Sequence, residues 1–152
     1  MHDKEIQYFT KALQQARDEF YLDAIGEFRK LIEEFPSSEL ADDAIYNIGL
    51  CYFHMNQFDK AIEHYQIVID EHPDATISVL EGGNEFGKTA AKRHYAILNC
   101  HLGLGDIESA RLQIGHLESF DSDSYVVVDG KNTSFKELAL LALTTYDSSL
   151  SS

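Results

Sequence analysis

The segment Gly82-Gly83-Asn84-Glu85-Phe86-Gly87-Lys88-Thr89 has the spacing G-x4-G-K-[ST]. In a P-loop that spacing cradles phosphate: glycines expose backbone amides, the lysine neutralises charge, and the hydroxyl holds Mg²⁺. An apolar run at 77–80 precedes it, and residues 125–129, Tyr-Val-Val-Val-Asp, read like a strand whose acid would help hold the metal. Three features oppose this reading. A P-loop needs a sheet of several parallel strands, and the sequence offers two short strand candidates. The two runs, I-S-V-L-E-G-G-N and Y-V-V-V-D-G-K-N, are near copies, with Leu80 and Val128, and Asn84 and Asn132, each 48 residues apart. The second copy also lacks Gly-Lys-Thr. A duplicated linker therefore explains both runs, and Lys88 is expected at a solvated helix start. Nucleotide binding at 82–89 is a remote alternative, and no cofactor is expected.

Other chemistries find less support. Cys51 and Cys100 are the two cysteines, with no C-x-x-C between them, so neither a disulfide framework nor a zinc site is indicated. Cys51 with His54, or Cys100 with His101, would need further ligands that no paired spacing supplies. Acid pairs such as Glu33-Glu34 and Asp42-Asp43 read as solvated helix faces. Nothing suggests a nucleophile with its base, so catalysis is not expected. The formal net charge of −14 repels phosphate backbones and anionic lipid surfaces, which argues against nucleic acid and direct membrane insertion. The opening Met-His-Asp-Lys-Glu lacks the basic-then-apolar order of a signal peptide. That favours a cytoplasmic location, with a periplasmic one as the alternative if a leader precedes these residues.

The elements that would position any site come from a repeat. Gly49, Tyr52, Ala61, Tyr65, Val68 and Pro73 lie within 42–75. Two small residues let antiparallel helices approach, tyrosines fill the space beside them, and proline stops the second helix. Ala12, Ala24, Phe28, Leu31 and Pro36 repeat the spacing 37 residues upstream, and Leu98, Ala110, Ile114 and Leu117 repeat it downstream. In that third copy Leu98 replaces the small residue and His101 stands where Tyr52 stood, so its helices should pair less tightly. Helices are expected at 3–18, 21–35, 38–55, 58–71, 86–104, 107–119 and 134–146.

This pattern resembles the tetratricopeptide repeat (TPR). The run F-P-S-S-E-L-A-D-D-A-I-Y-N-I-G resembles the units of the bacterial Tol-Pal coordinator and the outer-membrane assembly lipoprotein. The resemblance implies an all-α fold: a TPR α-solenoid of three helix-hairpin repeats, at about 5–38, 42–75 and 91–122, in one domain over 1–147. A helix at 134–146 would cap it, begun by the capping box Ser134-x-x-Glu137 and covering the stack with Phe135, Leu138, Leu141 and Leu143. Residues 148–152 would be a frayed tail.

The resemblance also implies function. In TPR proteins the first helix of each repeat lines a concave face, here Ile6, Phe9, Leu13, Tyr46, Asn47, Leu50, Phe53, Tyr95, Asn99 and Leu102. An aromatic and aliphatic wall with two amides suits a peptide or partner protein, unless the last helix fills the groove. The family's clamp for acidic C-terminal tails needs Lys and Asn where Phe9 and Leu13 stand, and Arg where Ala96 stands. Asn47 and Lys92 fit it, so that ligand class is not expected. A protein-interaction scaffold is the leading expectation, with a self-associating structural subunit as the alternative. The 77–81 and 125–129 runs are expected to lie on one edge, where they could pair as strands.

Overall fold

A computed structural model describes residues 3–77 and 83–151. Among the described residues there are seven α-helices: α1 (Asp3–Arg17), α2 (Tyr21–Glu34), α3 (Ala41–His54), α4 (Phe58–Glu71), α5 (Thr89–Leu104), α6 (Ile107–Leu117) and α7 (Phe135–Ser151). Three short strands, β1 (Glu85–Phe86), β2 (Tyr125–Val128) and β3 (Lys131–Ser134), form an antiparallel sheet in the order β1-β2-β3. The contacts gather into two compact units, Met1–His72 and Pro73–Ser152.

The repeat register decides the core of both units. Ala12, Ala24, Phe28, Leu31, Ala61, Tyr65, Val68, Leu98, Ala110 and Leu117 are all completely shielded from solvent. In the first unit α1 pairs with α2 and α3 with α4, and α2 also packs on α3. The tightest point is Gly49. A Cβ there would sit 2.6 Å from Tyr65 Cε1 and 3.2 Å from the Ala61 carbonyl oxygen, so any larger side chain would drive α3 and α4 apart.

Termination repeats as well. α2 and α4 stop two residues before Pro36 and Pro73, because a residue preceding proline is pushed out of the helical region. Their caps are near copies: Phe35 (φ −131°, ψ 63°) donates its N–H to the Leu31 carbonyl, and His72 (φ −136°, ψ 58°) to that of Val68. Each hairpin turn places a left-handed residue at one equivalent position, Glu19 (φ 67°), Asn56 (φ 61°) and Gly105 (φ 76°). Asparagine and glycine suit that conformation, whereas Glu19 is strained there.

Glu27 fastens α1 to α2. Its carboxylate is almost buried, 3.3 Å from Lys11 Nζ and 3.1 Å from Lys30 Nζ. Burial pushes its pKa up, but the hydrogen bonds from Lys30 and Lys11 and the charge of both lysines outweigh this and hold it below the ordinary 4.5.

The second unit departs from plain helical pairing. α5 packs on α6, and α7 crosses both, burying Phe135, Ala139 and Leu143 with Leu98, Ala110 and Leu117. Asp129 (φ 52°) and Gly130 (φ 75°) form the tight turn of the β2–β3 hairpin. The Glu85 carboxylate pairs with Lys92 Nζ at 2.9 Å and ties β1 to α5. Ser134 Oγ accepts the Glu137 N–H at 3.1 Å and caps α7, as the capping box requires on one side, while donating to Asp121 Oδ1 at 2.6 Å.

Several expected boundaries shift. α3 begins at Ala41 rather than 38, because Ser38 Oγ takes the Leu40 N–H in a turn. α5 begins at Thr89 rather than 86, because Glu85 and Phe86 join the sheet. β2 lies where expected and pairs with Glu85–Phe86; of the 77–81 run expected beside it, Ile77 alone is described. Ile77 instead bonds the Gly87 carbonyl, and 78–82 lie outside the described residues. α7 runs on to Ser151, so 148–151 continue the helix where a frayed tail was expected. Leu141, expected to cover the stack, is 62% exposed.

Two tests follow from this packing. Gly49→Ala should destabilise the first unit by about 1–3 kcal/mol. Gly26→Ala, in the exposed interior of α2 with no atom within 4 Å of the new methyl, should stabilise it by about 0.5–1 kcal/mol. Urea titrations of both variants check the opposite signs. In the second test, Glu27 binds its proton less tightly folded than unfolded. Its contribution is therefore present above the ordinary carboxylate value and lost as pH falls through the lower folded value. Both lysines are more than half exposed, so Glu27→Gln should cost only about 1 kcal/mol at pH 7. The variant should converge on wild type in melts near pH 3, and an equal difference at both pH values contradicts the linkage.

Candidate protein-binding site

The expected groove residues divide between the two units. In the first unit Phe9 is completely buried, its ring edge-on to Phe28 at 5.8 Å. Tyr46 is buried with its ring 5.2 Å from Tyr65. The Asn47 amide is also buried and donates to the Asp43 carbonyl at 2.8 Å, one turn back along its own helix. These three belong to the core and do not form an open wall. Leu13, Leu50 and Phe53 remain half-buried.

In the second unit Tyr95 and Asn99 line a shallow, open cleft. It lies between α5 and α7, holds about 430 Å³, and is walled by Tyr95, Asn99, Leu102, Leu138, Leu141, Ala142, Thr145, Tyr146 and Ser149. α7 presents two stripes at helical spacing. Phe135, Ala139 and Leu143 face the core, and Leu138, Leu141, Ala142, Thr145 and Ser149 form the cleft wall. The last helix therefore supplies one side of the groove rather than plugging it. Phe135, its ring 6.1 Å from that of Tyr95, sits beside one end. Among the described residues the Asn99 amide has no hydrogen-bond partner, which leaves it to donate and accept toward a ligand. No lining residue is charged. The Ser149 hydroxyl donates to the Tyr146 carbonyl at 2.7 Å. The cleft suits an apolar segment with backbone polar groups.

Sequence reasoning assigned Leu138 and Leu141 to covering the stack and missed the α7 wall because no repeat copy exists for this helix. The available signal was the apolar stretch Leu138-Ala-Leu-Leu-Ala-Leu143, wider than one core-facing stripe needs.

The phosphate motif is engaged otherwise. Gly82 lies outside the described residues. Gly87, at φ 104°, lets the chain pass against Asp123 and Ser124 where a Cβ would collide. The amides a phosphate would use at the start of α5 are taken: Lys88 N–H donates to Ser124 Oγ at 2.9 Å and Thr89 N–H to the Ala75 carbonyl at 2.9 Å. Lys88 Nζ points to the carbonyl and carboxylate of Asp74. Asp129, the acid the phosphate reading would need for magnesium, is a turn residue in an antiparallel hairpin.

Cys51 and Cys100 are buried free thiols, and burial pushes the Cys51 thiol up to about 11. Among the described residues no group of three His, Cys, Asp or Glu side chains gathers as a metal site, and no helix is long and apolar enough to cross a membrane.

Residues 43–74 match the family pattern of the tetratricopeptide repeat. The chain carries a TPR. The match covers α3 and α4, the hairpin closed by Gly49. No curated protein matches the sequence. Solved structures do share the TPR-like fold. The type III secretion translocator chaperone SycD of Yersinia enterocolitica, described as an alternative dimer, superposes with a TM-score of 0.66 at 16% identity, over 99% of this chain and 94% of that one. PcrH, in complex with the chaperone binding region of PopB, gives 0.61 at 15% identity over 96% of both chains. The TPR domain of Arabidopsis FLU gives 0.55 at 20% identity, over 76% of this chain and 96% of that one. At these identities the likeness carries the fold alone.

Because the TPR-adjacent α5 start has its amides filled, millimolar Mg-ATP should not raise the melting temperature of the wild type or of Lys88→Ala. A ligand at a hundred times its Kd would add about 2.7 kcal/mol. Stabilisation of wild type that vanishes in Lys88→Ala would restore the phosphate reading.

Proposed function

We propose that this chain is a protein-interaction scaffold, not an enzyme, and that it takes an apolar segment of a partner protein in the α5–α7 cleft. The observation that carries the reading is the uncharged cleft itself, with the Asn99 amide unpartnered between Tyr95 and the outer stripe of α7. Aliphatic side chains of the partner would lie on Leu102, Leu138 and Tyr146, and its backbone would bond to Asn99. The structural likeness to PcrH supports this, since that protein is seen holding a segment of PopB. In the first unit Phe9, Tyr46 and Asn47 are buried and would act only through packing there. The net charge of −14 disfavours nucleic acid. Two buried thiols that form no disulfide fit a reducing, cytoplasmic setting. Self-association is the second reading, favoured by the dimer described for SycD.

The test uses Leu141→Asp, at a residue 62% exposed, and Asn99→Ala. Partners captured by the wild type from native lysate should be lost by Leu141→Asp while its circular dichroism is unchanged. Against the strongest captured partner, Kd should rise roughly 30-fold, as loss of an anchor contributing about 2 kcal/mol requires. Asn99→Ala should weaken the same partner less. Retention of every partner by Leu141→Asp excludes the cleft. A mass that rises with concentration in wild type but not in Leu141→Asp assigns the cleft to self-association.

A further inference from the structure

The three helical hairpins make an internal comparison that isolates one oddity. Following the left-handed turn residue, the second hairpin reads Gln57-Phe58-Asp59-Lys60 and the third reads Asp106-Ile107-Glu108-Ser109. Each starts its second helix with a polar cap position, a half-buried apolar residue and an acid in the first turn. Asp106 and the first-turn acids are choices that helix N-termini favour, while Gln57 is polar but gives α4 no side-chain cap. The Asp106 carboxylate accepts the Ser109 N–H at 3.1 Å. The first hairpin reads Phe20-Tyr21-Leu22-Asp23. Tyr21 keeps the apolar middle position, but Phe20 and Leu22 replace the polar pair. Phe20 gives α2 no side-chain cap.

Neither side chain serves the core. Phe20 is 59% exposed and Leu22 is 73% exposed. Two sibling hairpins form with polar residues at these places, so the fold does not require them. A sequence that breaks a local rule without a packing gain points to function. Beside them Met55, from the α3–α4 turn, completes a hollow of about 420 Å³ whose rim carries Glu19 and Asp23. Glu19 is also the residue held at φ 67°, where its siblings use asparagine and glycine.

We propose that this tip of the first unit is a second docking surface, separate from the α5–α7 cleft, and that it takes a cationic peptide segment carrying an apolar anchor. The anchor rests on Phe20, Leu22 and Met55. Lysine or arginine on either side of it faces Glu19 and Asp23, with Asp18 next in the chain. Charge selects this occupant. A second copy of the chain would bring the same carboxylates against each other on a molecule of net charge −14, and an anionic membrane meets the same repulsion.

The test probes the full-length chain with a blocked ten-residue peptide that has a leucine and a phenylalanine one helical turn apart and two lysines on each flank. Two controls replace the lysines by glutamate or the apolar pair by serine. Amide resonances of 18–23 and 55–57 should shift with the lysine peptide and with neither control. Affinity should fall by about threefold or more between roughly 50 and 300 mM NaCl, as screening of rim charges requires. The double variant Phe20→Gln/Leu22→Asp copies the second hairpin, so it folds, and it adds negative charge. It should nevertheless lose the peptide by at least tenfold. Leu141→Asp should leave these shifts unchanged, which separates this surface from the cleft. The proposal is overturned by shifts centred elsewhere, by equal binding of either control peptide, or by undiminished binding to the double variant. It is also overturned if the tip resonances move with protein concentration alone, which would mark a second copy as the occupant.

Discussion

The close approach of α3 to α4 at Gly49 is the constraint on which the rest of the hairpin depends. With no side chain at 49 and only a methyl at Ala61, the Tyr65 ring can come close to the backbone of the opposite helix. Dispersion contacts are short-ranged, so this fit is all-or-none: a methyl group added at 49 has no space to occupy. The first hairpin meets the same constraint with Ala12 and Ala24, both fully buried. The third meets it with Leu98, also fully buried, and accommodates the larger residue by a different arrangement in which α7 crosses α5 and α6 and shares the core.

That substitution links packing to function. A third hairpin closed as tightly as the second would have little use for α7. With Leu98 at its centre, the second unit instead builds its core from three helices, and a crossing helix has a back as well as a front. Phe135, Ala139 and Leu143 satisfy the front. The neighbouring stripe of α7 faces α5 at a distance that leaves the cleft beside Tyr95 and Asn99. The β hairpin holds α7 at its start through Ser134, which caps the helix and bonds Asp121 at once. The linkers that resemble phosphate loops thus act as fasteners for the sheet and for the starts of α5 and α7.

The thiols and charged groups fall into supporting roles for physical reasons visible at each site. Cys51 is too deeply buried to ionise readily. Lys92 is held by Glu85 on β1 and so cannot reach out to a ligand as a clamp residue would. Glu27 spans α1 and α2 through two lysines that remain mostly solvated, a modest contribution that helps fix the angle of the first hairpin.

The sequence alone determined the helical hairpins, their register and the proline-set ends of α2 and α4. Those features are set by local rules: small residues at a fixed spacing, apolar positions on one face, and prolines that stop helices wherever they fall. The β2 turn at Asp129-Gly130 and the cap at Ser134 were legible for the same reason. The tertiary structure alone decided which aromatic residues stay open. Phe9, Tyr46 and Asn47 share a helical face with Tyr95 and Asn99 in the repeat register, yet the first three are buried and the last two border a cleft. Periodicity assigns a residue to a face but cannot say what covers that face. Phe9 is covered by Phe28 and Tyr46 by Tyr65 within the first unit, whereas the wall beside Tyr95 and Asn99 is α7, a helix with no counterpart among the repeats from which its place could be read.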